Sequence, residues 1–400
     1  MPFRELRAGR AWSGLGDTIR ENAHAAFATA LRWIKAFDFP RVQGPGLSAS
    51  EPRMSRRLVS TLAEPCDARV AVGQAKRKAA SRTLGDVPFL RELLDAARAL
   101  PPIRMAVVHP CDATSLSGAV EARNAGLIEP VLVGPAARIR AVAVEAGLAL
   151  DAFEIVDVGH SHAAAEAAVA LARTGKVAAL MKGALHTDEI MQAAVRKEAG
   201  LRTERRMSHV YALDVPHHSK PLFITDAAVN IAPSLGDKRD IVQNAIALCH
   251  ALGVPQPKVA ILSAVETVDP RIVSTVDAAA LCKMAERGQI TGGLVDGPLA
   301  IDNAVSGPAA AAKHIVSRVA GDADVLVAPD LVSGNMLAKQ LVHLAGAQAA
   351  GLVLGATVPI VVTSRSDGAP SRVASCAMAR LLAHHRRIRP GTVRHYADGA

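Results

Sequence analysis

An α/β fold built on parallel strands is predicted by three features of this 400-residue chain. Half of the residues are apolar but only 3% are aromatic, so the core must be assembled from Ala, Val, Leu and Ile. That composition suits helices packed on parallel strands better than a β-sandwich. From Asp86 onward, short β-branched runs alternate with helical stretches of about a dozen residues or more. Polar residues gather directly after those runs, where open α/β sheets bind ligands. The length is sufficient for two domains.

The strands expected in order are Arg104–Val108, Pro130–Val133, Glu154–Val158, Val177–Met181, Lys258–Ser263, Ile290–Val295, Asp324–Ala328 and Val358–Thr363. Ser208–Leu213 and Pro221–Thr225 form a hairpin around Pro216-His217-His218-Ser219. The helices between strands are Ala-rich, as in His162–Arg173 and Lys238–Ala251. Leu344–Thr363 is uncharged but is broken by Gln348, three glycines and Pro359, so it is expected to be loop plus strand rather than a membrane span. The first 85 residues differ from the rest. They hold both tryptophans, a plausible helix over Asp17–Lys35, the Pro/Gly/Ser stretch VQGPGLSASEP and the basic run Lys76-Arg77-Lys78, and are expected to be a poorly ordered, nonessential extension.

The formal charge of +9 would point to nucleic acid if it were spread over the chain. It is not. Residues 1–85 hold 15 Lys/Arg against 7 Asp/Glu, and the other 315 hold 31 against 30. Neither nucleic acid nor membrane is therefore expected as a partner, and the start MPFRELRAGR lacks a secretory h-region, so a cytoplasmic location is expected. Five scattered cysteines without C-x-x-C spacing argue against zinc and against a disulfide framework. No G-x-G-x-x-G, P-loop or G-x-S-x-G motif is present. His160-x-His162, His217-His218 and the set Asp296, Asp302 and Asp330 are weak metal candidates without matched third ligands. Arg202, Arg205 and Arg206 form a basic cluster that is either a solvated face or a receptor for nucleotide phosphates.

The polar residues after the strands carry the functional signal. They are Lys182-Gly183, Thr225-Asp226, Ser263 to Thr267, Asp296-Gly297-Pro298 with Asp302-Asn303, Asp330 with Ser333-Gly334-Asn335, and Thr363-Ser364-Arg365-Ser366-Asp367. Together they predict a cleft for an anionic substrate at helix N-termini. Capping accounts for many of the Ser, Thr, Asp and Asn residues. It does not account for Lys182 or Arg365, because cations oppose the dipole at a helix N-terminus.

The runs VVHPCDATSLSGAVEA, ALMKGALHTDEIM, GLRTERRMSHV, PLFITDAAVNIAP, KVAILSAVETVDP, CKMAERGQITGGLVDGPLAIDNAVS, VLVAPDLVSGNMLAKQL and PIVVTSRSD occur in this order. On them the chain, from about residue 87 to 386, resembles the phosphate acetyl/butyryltransferases. It is most similar to the transferase half of bifunctional enoyl-CoA hydratase/phosphate acetyltransferase proteins. Residues 1–85 are too short for the hydratase, which is not expected here.

The resemblance implies two α/β domains of the isocitrate/isopropylmalate dehydrogenase-like kind with a cleft between them, usually in a homodimer. Residues 86–205 with 351–400 would form the first domain and 206–350 the second. It implies conversion of short acyl-CoA plus phosphate to acyl phosphate plus CoA, with CoA as substrate and no metal or other cofactor. The family's Ser-Arg pair matches Ser364 and Arg365: Arg365 would grip the phosphoryl group and Ser364 would donate to the developing oxyanion. Lys182 and Gly183 match the M-K-G element, and Gly334 and Asn335 the G-N element. Cys111 is expected to be a packing residue. Acetyl-specific members carry an aspartate base seven positions after the serine, where this chain has Ser371. Asp367 is then the nearest acid, with Asp296 and Asp302 as alternative bases. Ser371 is also the one feature favouring a noncatalytic CoA/acyl-phosphate-binding regulatory module.

Overall fold

The computed structural model describes residues 88–364 and 367–388. The expected helix over Asp17–Lys35, Cys66, the basic run at 76–78 and Arg365 lie outside the described residues. The strands are β1 (Ile103–Val108), β2 (Ile128–Gly134), β3 (Glu154–Asp157), β4 (Ala179–Lys182), β5 (Ser208–Asp214), β6 (Leu222–Thr225), β7 (Lys258–Leu262), β8 (Leu294–Leu299), β9 (Val325–Val327), β10 (Gln348–Leu354) and β11 (Ile360–Val361). The helices are α1 (Pro88–Arg98), α2 (Ala113–Asn124), α3 (Ala136–Glu145), α4 (Ser161–Arg173), α5 (Thr187–Ala194), α6 (Leu235–Ala251), α7 (Val273–Glu286), α8 (Ile301–Val305), α9 (Gly307–Ala312), α10 (Leu331–His343) and α11 (Ala369–Ile388).

All eleven strands join one sheet in the order β3-β2-β1-β4-β11-β10-β5-β6-β9-β7-β8. The central strands are buried on both faces. In β1, Met105 and Val107 pack into one apolar cluster, while Ala106 and Val108 pack into another. That is why these strands appear in the sequence as continuous apolar runs rather than alternating ones. The first cluster is covered by α1, α2, α6 and α11. Leu90, Leu93, Leu94 and Ala97 of α1 recur at helical spacing and are all buried. The second is covered by Ala164, Ala165, Ala168, Val169 and Ala172 of α4, whose small side chains let the helix lie close to the sheet.

Two elements differ from the sequence expectation. The segment expected as loop before its strand contains β10, a seven-residue central strand that pairs antiparallel with both β5 and β11. Its sequence QAAGLVL is poor in β-branched residues, so packing and not propensity makes it a strand. The strand expected at Ile290–Val295 runs instead from Leu294 to Leu299, after Gly292 at φ 84° and Gly293. Pro298 is tolerated in it because β8 is the edge of the sheet. The expected hairpin is present as β5 and β6, paired antiparallel from Val210–Thr225 to Leu213–Leu222.

Candidate active site

Strand direction decides which polar ends can meet. β1 to β4 and β11 run parallel to one another. The β11–β10, β10–β5 and β5–β6 pairings are each antiparallel, and β6 to β9 are again mutually parallel. Three reversals leave the two parallel sets pointing in opposite directions. The expectation that six strand ends share one edge is therefore corrected. Lys182, Gly183 and Ser364 end strands at one edge, whereas Asp226, Ser263 and Asp330 follow strands ending at the other. The unrecognised β10 supplies two of the three reversals.

Ser364 and Asp367 are tied together after β11. The Ser364 N–H donates to Asp367 Oδ2 at 2.7 Å, and the Asp367 N–H donates to the Ser364 carbonyl at 3.1 Å. Arg372, buried on α11, donates to Thr363 Oγ1 at 2.7 Å and to the Ser364 carbonyl at 3.3 Å. Burial pushes the Asp367 carboxyl above the ordinary carboxylate range, against the pull of the Ser364 amide and of the positive charges of Arg372, His343 and Lys339. Burial, with the charge of Asp367 added, pushes the Tyr211 phenol of β5 up to about 12. The described neighbourhood of Ser364 thus holds one half-buried carboxylate within electrostatic reach of Arg372 of α11 and of Lys339 and His343 of α10.

On the same edge, Lys182 closes β4, is buried, and its Nζ lies 3.4 Å from the Gly183 carbonyl. A Cβ on Gly183 would clash with the Val108 carbonyl and stand 2.7 Å from that of His109, so only glycine lets β1 and the β4 end approach this closely. His109 itself sits at φ 53°, with Nδ1 donating to the Ala184 carbonyl at 3.0 Å. Asp112 caps α2 through the Ser115 amide at 2.7 Å. Cys111 is buried and its thiol is pushed up by that burial, as suits a packing residue.

At the opposite edge, buried Asp226 accepts from the amides of His209, Ala228, Val229 and Asn230 and from the Asn230 side chain at 2.5–3.2 Å. Gly334 and Asn335 dock on this loop. A Cβ on Gly334 would clash with the Asp226 carbonyl, and Asn335 Nδ2 donates to the Ala227 carbonyl at 2.9 Å. Asp330 caps α10 through the Ser333 amide at 2.8 Å. Helix α10 then links the two edges. Asn335, Lys339 and His343 follow at i, i+4 and i+8, one face spanning about 12 Å at 1.5 Å per residue, and the last two act on Asp367.

The other predicted carboxylates stand apart from this centre. Asp296 lies within β8 opposite Ala260 rather than in a loop, and its Oδ1 accepts the Gly297 amide at 2.8 Å. Asp302 is exposed on α8 and pairs with Lys313 at 3.4 Å; the Asn303 amide and Lys313 hold its carboxyl below the usual range. His160 caps α4, His162 pairs with Glu189 at 3.1 Å, and no group of three or more His, Cys, Asp or Glu poised for a metal occurs among the described residues. Arg202, Arg205 and Arg206 line a cavity of about 490 Å³ together with Asp237 and Asp240. There Arg206 pairs with Asp237 at 3.7 Å and donates to Asn230 Oδ1 at 2.8 Å.

Residues 159–380, which include Ser364 and Asp367, match the family model described as phosphate acetyl/butaryl transferase. A phosphate acetyltransferase of Rhizobium meliloti is 62% identical over 295 residues, 74% of this chain and 93% of that protein. The chain belongs to the phosphate acetyl/butyryltransferase family. A phosphate butyryltransferase of Clostridium acetobutylicum is 39% identical over 280 residues, 70% of this chain and 93% of its own length. Among solved structures, a branched-chain phosphotransacylase from Enterococcus faecalis V583 superposes with a TM-score of 0.62 at 30% identity, over 70% of this chain and 99% of that one.

In this member of the family the position seven residues after Ser364 is filled by Ser371, and its hydroxyl is already committed. It donates to the Ala349 carbonyl of β10 at 2.6 Å, so it packs α11 onto the sheet. Arg372 and Tyr211 were not singled out by sequence reasoning. Arg372 follows Ser371 directly, but it is one of four arginines in α11, with Arg380, Arg386 and Arg387, so its type alone did not mark it. Tyr211 lies more than a hundred residues from Asp367 in sequence, and nothing local marks it.

Proposed function

We propose that the chain transfers short acyl groups between CoA and phosphate, with Ser364, Arg365 and Asp367 as its reacting centre. The observation carrying this reading is the Ser364–Asp367 pair, set after β11 in a chain of this family, with the carboxylate raised by burial. In the direction of acyl-CoA synthesis, the CoA thiol gives its proton to the Asp367 carboxylate. The resulting thiolate attacks the acyl carbon, and the bond from that carbon to the phosphate oxygen breaks, releasing phosphate. A free thiol near pKa 8.5 is mostly protonated at neutral pH, so a carboxylate with a raised pKa is a better acceptor than a surface one. Ser364 donates to the oxyanion formed at the acyl oxygen, and Arg365 grips the leaving phosphoryl group. Lys182 and Gly183 on the same edge add charge and backbone access for the anion.

Asp296 and Asp302 are set aside as bases in this reading, since one is bonded to its own strand and the other is paired with Lys313. Gly334 and Asn335 hold the start of α10, which carries Lys339 toward the centre. No metal or further cofactor takes part, so a chelator should leave the rate unchanged. The working unit is a homodimer in the cytoplasm; no described helix is long and apolar enough to cross a membrane. The test is consumption of CoA thiol by the full chain with acetyl, propionyl or butyryl phosphate. Turnover with at least one of them is expected, and none with any of them would overturn the reading.

A further inference from the structure

We infer that His209 is a positioning residue for the transfer: its imidazole holds the end of β11 and thereby sets where Ser364 meets the acyl group. This rests on Ser364 acting as proposed above. The regular pairing of β11 ends at Val361, so the Val362 carbonyl, two residues before Ser364, needs a partner from elsewhere. It receives one from His209 Nε2 at 3.3 Å, reaching across from the start of β5.

The path is built for that bond. His209 pairs in register with Val353, and its ring passes over Gly351 of the intervening strand. A Cβ at residue 351 would stand 2.9 Å from Nε2 and 3.0 Å from the Val362 carbonyl, between donor and acceptor. Tyr211 meets the imidazole edge to face with ring centres 4.3 Å apart, fixing its plane.

The protonation state follows from the partner. A carbonyl only accepts, so Nε2 carries the proton and Nδ1 is bare. Nδ1 is buried without a hydrogen-bond partner. Burial lowers the imidazole pKa against the opposing charge of Asp226 and the bond to Val362, and so keeps the ring neutral. A leucine or phenylalanine would fill this space without an orphaned nitrogen, so the Nε2 donor is what the site gains from histidine. Together with Arg372 on Thr363 and Ser364, the bond ties three successive residues before Arg365 to two different elements. A displacement of about 1 Å at a reacting group is enough to cost on the order of a hundredfold in rate.

The test compares His209→Gln, His209→Leu, Gly351→Ala and the His209→Leu/Gly351→Ala double variant by acyl phosphate turnover, with thermal melting as a fold control. Glutamine keeps an N–H donor at the reach of Nε2. It should hold kcat within about threefold, while leucine lowers kcat by about ten- to a hundredfold and moves KM for CoA less than twofold. Gly351→Ala should reproduce the leucine loss, and the double variant should be no worse than either alone. Nitrogen NMR of the full chain should show a neutral, Nε2-protonated ring at pH 7, a readout that needs no variant to fold. Equal kcat for the folded leucine variant and the parent overturns the inference, as does additive loss in the double variant, glutamine no better than leucine, or an Nδ1-protonated or charged ring. An inactive parent chain overturns the reading beneath it and the inference with it, and is recognised before any variant is compared.

Discussion

Asp367 joins two demands that oppose each other. Its carboxyl is raised by burial, so the folded state holds the proton more tightly than the unfolded chain does. The contribution to stability is therefore fully present below the ordinary aspartate value of 3.8 and is lost as pH rises through the folded value. At neutral pH the ionised group works against the fold, offset in part by the Ser364 amide and the charges of Arg372 and Lys339. Asp367→Asn keeps an acceptor for the Ser364 amide and removes the buried charge. Thermal melts across pH 4 to 8 should show the variant at least as stable as the parent at pH 7, with the advantage shrinking as pH falls. A variant less stable at every pH would contradict the assignment of burial as the main cause. The same ionisation governs the rate: activity should fall on the acid side through a pKa above that of an ordinary aspartate. The roles proposed for Ser364, Arg365 and Asp367 come from the T-S-R-x-D run. The hold on Ser364 by Arg372 was not, because it depends on which face of α11 meets β11 and no motif records that.

Helix α10 is seated on the loop at one edge of the sheet and brings Lys339 and His343 within electrostatic reach of Asp367 at the other. Its first turn is seated on the Asp226 loop at Gly334 with no space for a methyl group, since an added Cβ would also approach Ala328 Cβ to 3.0 Å. Gly334→Ala must lift that turn and weaken the Asn335 bond to Ala227. A loss of about 1–3 kcal/mol in urea unfolding is expected, with a lowered kcat because Lys339 and His343 move with the helix. Unchanged stability would mean that the loop yields freely. Among strands, β5 and β6 were visible in the sequence because turn residues separate two β-branched runs. β10 was hidden because Gln348-Ala349-Ala350-Gly351 is neither β-branched nor alternating, and it is a strand only by virtue of its two neighbours. β8 was displaced because Gly292 and Gly293 interrupt what looks like its start, and because an edge position is what makes Pro298 permissible.

At the scale of the molecule, the α/β class, the parallel pairings of β1 to β4 and the family were all carried by the sequence. Strand direction across the centre was not, and it changes the site: residues expected around one cleft are divided between two edges joined by α10. The formal charge of +9 is concentrated in residues 1–85, and the described residues belong to the nearly balanced remainder. Those 85 residues also precede the 159–380 stretch that matches the family model. Removing them should leave kcat/KM for acyl phosphate within about twofold of the full chain, whereas loss of activity would give the extension a part in the fold or the site. Removal of the thiol proton by Asp367 is measured most directly by the rate of acyl-CoA formation from CoA and acyl phosphate by the parent and by Asp367→Asn under identical conditions. Turnover by the parent and a rate about 10²–10⁴-fold lower in the folded variant are expected; equal rates would contradict Asp367 as the base.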